Sequence, residues 1–190
     1  MSKEYIEGKT YKGENFTEQA LKKAEYENCT FSNCIFSNAL LSEINFIDCT
    51  FDNCDLSMAK LIDTAFRDVT FKNSKLLGLR FDDCNAFLLS FNFKSCLLNF
   101  SSFYKLKLKN TVFDDCQLQD VEFGEADFTN AVFKKCDLHR AVFEKTKLEG
   151  ADFRTAVNFS IDPEINRITK AKFSTHNVIG LLTKYNLKIE

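Results

Sequence analysis

Residues 126–153 read ADFTNAVFKKCDLHRAVFEKTKLEGADF, with a large apolar residue at every fifth position from Phe128 to Phe153. Toward the N-terminus the spacing continues to Leu88, slips by two residues at Cys84-Asn85, and resumes from Phe81 back to Phe16. A period of five matches neither an amphipathic helix nor an alternating strand. Because a fixed internal period is the signature of a solenoid, the sequence predicts one with a corner every five residues.

The position two residues before each apolar centre follows its own rule, since it holds small residues. Side chains two apart on an extended segment point to the same side, so a large and a small residue of each unit both face inward. The small residues are Ala24, Cys29, Cys34, Ala39, Cys49, Cys54, Ala59, Ala126, Ala131, Cys136, Ala141 and Ala151. The pattern predicts a continuous apolar core.

A second period of twenty residues gives the number of sides per coil. Every fourth centre is phenylalanine along the column Phe31, Phe51, Phe71, Phe93, Phe113, Phe133 and Phe153. The step from Phe71 to Phe93 is twenty-two residues, and the excess equals the two-residue slip. Four units of five residues therefore close one coil of an all-β, four-sided β-helix with seven coils.

The two ends of the rod need covers, because an open stack of strands exposes unpaired backbone groups. We interpret residues 1–15 as an N-terminal cap, 16–155 as the β-helix and 156–190 as a C-terminal cap. In the last segment Ser174 precedes apolar residues at helical spacing, which predicts a short α-helix. This helix either only lids its own rod or also forms a two-fold dimer through Val178, Leu181, Leu182, Tyr185, Leu187 and Ile189.

Composition restricts the class of protein. The net charge of −2 argues against a nucleic-acid-binding protein, and no apolar stretch is long enough to span a membrane. The N-terminal residues do not resemble a secretory signal, so we expect a cytoplasmic protein. We interpret the eight cysteines as buried core thiols, with Cys84, in the slip, as the one expected to be partly exposed.

Catalytic chemistry has no support in the sequence. The two histidines, His139 and His176, lie in no recognisable motif, and neither a phosphate-binding glycine loop nor a zinc-ligand spacing occurs. We therefore expect a protein that is not an enzyme and needs no cofactor or metal.

One side of the predicted rod carries outward carboxylates that could meet a partner. They are Glu43, Asp63, Asp82, Asp83, Glu122, Glu125 and Glu144. The same side also carries Lys22, Lys23, Lys60, Arg80, Lys105 and Lys145. Two interpretations remain open, an ordinary solvated surface of mixed charge and an acidic partner-binding surface.

Around the slip, apolar residues occupy outward positions that elsewhere hold polar ones. They are Leu77, Phe87, Leu89, Leu97, Phe100 and Tyr104. A contiguous exposed apolar patch marks a contact surface. The alternative is that the slip turns some of these side chains inward or that they cover one another.

The repeat resembles the pentapeptide-repeat family, whose units contain a small residue, a polar residue, Leu or Phe, and two polar residues. AlaAspPheThrAsn (126–130) and AlaAspPheArgThr (151–155) are similar to this pattern, and the resemblance covers residues 16–155. It implies a right-handed quadrilateral β-helix. The C-terminal residues add the expectation of a short α-helical cap.

A closer resemblance is carried by AspProGluIleAsnArgIle (162–168), GlyLeuLeuThrLysTyr (180–185) and Gly78 ahead of the slip. These segments resemble the branch with Qnr-type quinolone-resistance proteins and the immunity protein against a gyrase-poisoning microcin. The branch implies a C-terminal homodimer whose DNA-mimicking rod binds DNA gyrase or topoisomerase IV and protects it from a toxin or quinolone. Many quinolone-protecting members have long projecting loops, which this chain lacks. The alternative is a structural or interaction rod with another protein partner.

Overall fold

The computed structural model describes residues 4–188, which form a right-handed, four-sided parallel β-helix. The predicted fold class is therefore confirmed. Its strands are β1 Glu4–Glu7, β2 Thr10–Lys12, β3 Ala24–Glu27, β4 Thr30–Ser32, β5 Asn45–Ile47, β6 Thr50–Asp52, β7 Ala65–Arg67, β8 Val69–Lys72, β9 Phe91–Lys94, β10 Val112–Asp114 and β11 Val132–Lys134.

The strands build two of the four faces. Face 1 is the seven-stranded sheet β2-β4-β6-β8-β9-β10-β11, and face 4 begins as the four-stranded sheet β1-β3-β5-β7. Face 4 continues beyond the slip through single parallel bridges that join Lys107, Asp127, Lys147 and Arg167. Face 2 is held by single bridges along the column from Asn15 to Val157. Face 3 is held by single bridges along the columns through Lys60 and Glu122.

The register between coils confirms the twenty-residue period. Phe31 lies opposite Phe51 and Phe51 opposite Phe71, and Phe71 lies opposite Phe93 after the slip. Stacking at this register places identical rings above one another, with centroids 4.8 Å apart for Phe31 and Phe51 and 5.0 Å apart for Phe93 and Phe113. Burial of each such side chain contributes roughly 1.5–3 kcal/mol before entropic costs.

The corners between faces are left-handed backbone positions two residues after each centre. Asn33, Asn53 and Asn73 occupy one corner column with φ values of 55°, 53° and 49°. Asn and Asp tolerate this conformation better than other non-glycine residues because their short side chains hydrogen-bond locally. The abundance of Asn and Asp at these positions thus follows from the geometry of the corner.

At the slip, the residues that face the core differ from those expected from the sequence. Leu88 is not an inward centre, because it is 64% exposed and takes the left-handed corner conformation with φ 56°. Phe91 fills the space instead, with its ring centroid 5.1 Å from that of Phe81 and 6.1 Å from that of Phe66. The extra residues are absorbed between a 3-10 turn at Phe81–Asp83 and an outward loop at 86–88.

The expectation that Cys84 is partly exposed is wrong. Its side chain keeps the inward small-residue position and is buried, and burial raises the pKa of the thiol well above its ordinary value. All eight cysteines are buried free thiols, which confirms their interpretation as core residues.

The C-terminal cap consists of 3-10 turns at Val178–Leu181 and Thr183–Tyr185, so the predicted α-helix is wrong. β-Branched Val178 and Ile179 followed by Gly180 disfavour a regular helix. Gly180 also sits directly against Phe159: a Cβ added to it would overlap the Phe159 ring and lie 2.6 Å from the Phe159 carbonyl oxygen. This close contact fixes the backbone path of the cap.

The predicted helix-capping role of Ser174 is wrong, because no α-helix follows it and the first 3-10 turn has no side-chain cap; Ser174 instead exchanges two hydrogen bonds with Asn177. The Asn177 N–H donates to the Ser174 Oγ at 3.2 Å, and the Ser174 N–H donates to the Asn177 Oδ1 at 2.9 Å. The Asn177 Nδ2 also donates to the carbonyl oxygens of Phe153 and Ala156, at 2.7 and 3.0 Å. One side chain therefore joins the cap to the end of the rod.

We expect Phe91→Ala to lower the free energy of unfolding by about 3–5 kcal/mol, because it removes a buried ring that fills the core at the slip. The matched control is Phe87→Ala in the same segment, where the side chain is 65% exposed and the change should stay within about 0.5 kcal/mol. Urea unfolding followed by circular dichroism measures both. Equal effects of the two substitutions would contradict the assignment of Phe91 as the core residue.

Candidate partner-binding surfaces

The predicted acidic residues do lie together along face 3 and its corner with face 4. Glu122 lies in the bridged column of face 3, next to Ser102 and Val142. Glu43, Asp63 and Glu125 are left-handed corner residues, with φ values of 65°, 54° and 55°. The corner conformation directs such side chains outward, so sequence position alone was sufficient to group them.

Most of these carboxylates have a partner on the same face. The Lys23 Nζ is 3.0 Å from the Glu43 Oε1, and Arg80 contacts Asp82 at 2.7 Å and Asp83 at 3.5 Å. Asp63 accepts a hydrogen bond from the Asn85 Nδ2 at 2.7 Å. These contacts leave a surface of alternating charge, with seven carboxylates and six cations along the predicted side.

Glu125 shows how locally the charge is neutralised. The Tyr104 hydroxyl donates to its Oε1 at 2.8 Å, and the Lys105 Nζ lies 3.6 Å from its Oε2. The Tyr104 hydrogen bond and the Lys105 charge lower the pKa of Glu125 below its ordinary value. The carboxylate is therefore ionised but already satisfied by its neighbours.

The structure does not gather the six predicted apolar residues into one patch. Phe87 lies on the outward loop, where the Arg67 guanidinium carbon is 5.5 Å from its ring centroid. Leu89 is half-buried and packs against the core, and Leu77 and Leu97 are half-buried on face 2. Phe100, which is 67% exposed, and Tyr104 lie around the corner between faces 2 and 3.

A smaller apolar feature at that corner includes residues that sequence reasoning missed. Met58, Gly78 and Phe100 occupy one corner column and line a shallow depression that we call the Gly78 notch, with the Met58 side chain lying over the glycine. The Met58 sulfur lies 2.5 Å from where a Cβ on Gly78 would be. Arg80, Asp82, Ser102, Tyr104 and Glu122 complete its walls. Met58 and Gly78 are twenty residues apart, and Gly78 and Phe100 are twenty-two apart across the slip. This spacing was the sequence signal that could have identified the notch.

The C-terminal cap displays an apolar surface at the end of the rod. Of the predicted dimer residues, Val178, Leu182, Tyr185 and Leu187 are exposed, whereas Leu181 is half-buried and packs on its own core. Ile179, which the prediction omitted, is 49% exposed beside them. Ile189 lies outside the described residues.

The cap is also tied to the rod by charge. The Lys184 Nζ contacts the Asp162 Oδ1 at 2.7 Å and the Glu164 Oε2 at 2.6 Å. The Tyr185 hydroxyl donates to the Glu164 Oε1 at 2.9 Å. The segment 162–168, singled out from sequence, therefore supports the cap through its acidic side chains.

The structure offers no metal-binding cluster within residues 4–188, since no group of three or more His, Cys, Asp or Glu side chains in this range is arranged to hold a metal ion. Burial raises the pKa of Cys49 and of Cys54 to about 12, so both thiols stay protonated at neutral pH. Within the same range no helix is long and apolar enough to cross a membrane.

Comparison with protein families places the repeat in a known class. The model of the family described as "Pentapeptide repeat region" matches residues 24–91 and 80–153. A search of curated protein sequences found no significant match.

Comparison with solved structures finds the same fold over the whole chain. The fluoroquinolone resistance protein QnrB1, in a trypsin-treated variant form, superposes with a TM-score of 0.72 at 15% identity, covering 100% of this chain and 92% of QnrB1. Full-length QnrB1 gives a TM-score of 0.53 at 18% identity, covering 96% of this chain and 100% of QnrB1. At these identities the likeness shows the fold alone.

We expect Gly180→Ala to loosen the cap, because the added Cβ collides with both the ring and the backbone of Phe159. Hydrogen exchange measured by mass spectrometry should become faster in residues 174–188 and stay unchanged in the coils before residue 150. Gly124→Ala is the control in the rod, since its added Cβ meets mainly the flexible end of the Glu122 side chain. Unchanged exchange in the cap would show that the close packing of Gly180 is not needed.

We expect the free energy of unfolding to fall in acid, because three buried or half-buried aspartates accept hydrogen bonds as carboxylates. Hydrogen bonds from Arg154 lower the pKa of Asp152. Burial acts to raise the pKa of Asp127 and of Asp137, but the hydrogen bonds that these carboxylates accept outweigh it and lower both values. A folded pKa below the unfolded value of about 3.9 gives stability that is complete above that pH and lost as pH falls through the folded pKa.

Urea unfolding between pH 7 and pH 2.5 tests this expectation. Asp137→Asn should reduce the fall in the free energy of unfolding between pH 7 and pH 2.5 relative to the parent protein. A parent stability that does not change below pH 4 would contradict the role of these aspartates.

Proposed function

This chain belongs to the pentapeptide-repeat family, and from that premise we propose that it is a non-catalytic rod that binds a bacterial type II topoisomerase. Binding would protect DNA gyrase or topoisomerase IV from a toxin or a quinolone, and would take place in the cytoplasm. No cofactor and no direct contact with nucleic acid is needed for this role.

The observation that carries the proposal is the full-length likeness to QnrB1, described as a plasmid-mediated fluoroquinolone resistance protein. The likeness includes both ends of the rod, since the alignment covers the whole of this chain. The cap residues that resemble the Qnr-type branch also have defined structural roles here. Asp162 and Glu164 hold Lys184, and Gly180 packs on Phe159.

A homodimer through the cap is the second part of the proposal. Val178, Ile179, Leu182, Tyr185 and Leu187 expose apolar surface on a segment that hydrogen bonds hold in place. An isologous contact through this surface would double the length of the rod, as a two-fold dimer buries the same patch on both copies. The longer rod would offer a partner two equivalent sets of side faces.

The charge of face 3 limits how the rod could act as a mimic of duplex DNA. DNA carries one negative charge per about 1.7 Å of helix axis, whereas face 3 pairs most of its carboxylates with cations. We therefore propose that the topoisomerase contact uses the shape of the rod and the few less neutralised carboxylates, such as Glu122 and Glu144, rather than a uniformly negative surface.

A second candidate function is favoured by the Gly78 notch. Phe100 is 67% and Met58 49% exposed on either side of the glycine. An apolar side chain of another protein could insert there, which would make the chain an interaction rod with a partner of a different class.

Gyrase supercoiling assays with the purified protein test the main proposal. We expect micromolar protein either to inhibit supercoiling or to restore it in the presence of a fluoroquinolone or the microcin, with topoisomerase IV decatenation as a parallel assay. Absence of any effect from a folded protein with both enzymes would reject the topoisomerase proposal.

Two substitutions separate the candidate surfaces. Glu144→Lys, outside the Gly78 notch, should weaken a topoisomerase contact that depends on charge, and the same contact should weaken as salt rises. Phe100→Asp should leave such a contact intact but abolish binding through the Gly78 notch, which we expect to tolerate salt. The affinity of each variant for immobilised gyrase at about 50 and about 300 mM salt gives the comparison.

A further inference from the structure

The loop at 86–88 holds two large apolar side chains out into solvent. Phe87 is 65% and Leu88 64% exposed, although both lie in the middle of the rod. The loop is anchored at both ends, since the Asn85 N–H donates to the Thr64 carbonyl oxygen at 2.9 Å and the Ser90 N–H to that of Phe66 at 3.0 Å. The exposure of Phe87 and Leu88 is therefore a fixed feature of the fold.

Side-chain contacts reinforce this arrangement. The Asn85 Oδ1 accepts the Phe87 N–H at 3.0 Å, and the Asp68 N–H donates to the Ser90 Oγ at 2.7 Å. Arg67 lies over the Phe87 ring. Because an ordered apolar protrusion is unfavourable in water, it is typical of a contact surface.

Face 4 has opposite charge on the two sides of this loop. The four layers before it, residues 5–8, 25–28, 45–48 and 65–68, carry a net charge of −4. The four layers after it, residues 107–110, 127–130, 147–150 and 167–170, carry a net charge of +3. Face 4 is therefore a strip with an acidic half, an apolar centre and a basic half.

Part of the charge of each half is available to another molecule, although in the basic half Asp127 pairs with Lys109 and Lys147, and Glu149 pairs with Arg167. Among residues 4–188, Glu7, Glu25 and Glu27 form no salt bridge, and neither do Lys107 and Lys170. Glu25 and Glu27 only accept hydrogen bonds, from the Asn45 Nδ2 and from the Tyr5 hydroxyl. The acidic and basic halves thus keep charge that the rod itself does not neutralise.

We propose that face 4 is a self-association surface on which a second copy of this chain binds side by side and antiparallel. A two-fold axis through the loop at 86–88 places the acidic half of one copy against the basic half of the other. The same axis brings the Phe87 and Leu88 side chains of the two copies together at the centre, since residues on a two-fold axis meet their own equivalents.

The size of the surface is sufficient for a weak but specific dimer. Nine layers at about 4.8 Å span roughly 40 Å, and four extended residues across the face span about 13 Å. Contact along their whole length would bury about 1,000 Å² in total, near the lower bound for a biological interface. This contact is separate from a cap-to-cap dimer, in which four layers, or about 19 Å, would separate Leu88 from the end of the rod.

Cysteine cross-linking gives a direct test of the two-fold axis. Leu88→Cys should form a disulfide-linked dimer under mild oxidation, because the eight native thiols are buried and the new one meets its equivalent. Leu40→Cys, at a position 69% exposed on face 3, is the matched control and should stay monomeric on a non-reducing gel. A cap-to-cap dimer cannot link two copies of residue 88.

Charge reversal in the Leu88→Cys background tests the antiparallel arrangement. Glu7→Lys/Glu25→Lys/Glu27→Lys makes both halves of face 4 positive, and Lys107→Glu/Lys170→Glu makes both halves negative. Each variant alone should cross-link about fivefold less than the parent, because like charges then face each other. A one-to-one mixture of the two, carrying different tags, should recover the yield as a mixed dimer, and less so as salt rises.

Each result of these two experiments either supports or overturns the proposal. A covalent Leu88→Cys dimer with mixed-dimer recovery supports the proposal. A folded Leu88→Cys protein that stays monomeric overturns it, as does a Leu40→Cys protein that cross-links equally well. A dimer whose yield is the same for both charge variants and their mixture would overturn the antiparallel arrangement.

Discussion

The twenty-residue register between successive coils is the constraint on which the rest of this structure depends. Each coil bonds to the next through parallel backbone hydrogen bonds, such as the Thr50 N–H to the Cys29 carbonyl oxygen at 3.0 Å. At that register identical inward positions stack, so rings pack face to face within a column and edge to face between columns. The register, the aromatic core and the four flat faces are consequences of one repeat.

The slip shows how a fold of this kind accommodates an irregularity. Two extra residues raise the register from twenty to twenty-two between β8 and β9, yet the core stays filled because the Phe91 ring replaces the side chain that turns outward. The result is a protrusion carrying Phe87 and Leu88, whose positions a regular unit would use for an outward polar residue and an inward centre. A local irregularity in the core therefore becomes a feature of the surface.

The surfaces of the rod differ in what they offer a partner. Face 3 alternates carboxylates and cations at the spacing of the coils, which allows neighbours such as Lys105 and Glu125 to neutralise each other. Face 4 separates its net charge along the rod instead, although Asp127 and Glu149 in its basic half still pair with neighbouring cations. At the end of the rod, the cap converts the open stack into an apolar surface held by Asn177 and Lys184.

The sequence alone determined the fold class, the number of sides, the position of the slip and the inward residues outside it, because a five-residue period with a large apolar residue in every unit leaves a single way to bury the core. It also placed Glu43, Glu122 and Glu125 on one face, since outward positions follow from the same period. Only the tertiary structure decided which way the slip turns Leu88, Cys84 and Phe91, as that depends on the space left between neighbouring rings. It also decided the 3-10 form of the cap, where the contact between Gly180 and Phe159 overrides helical spacing, and the pairing of charges across coils. These features depend on contacts between residues distant in sequence, which local spacing does not encode.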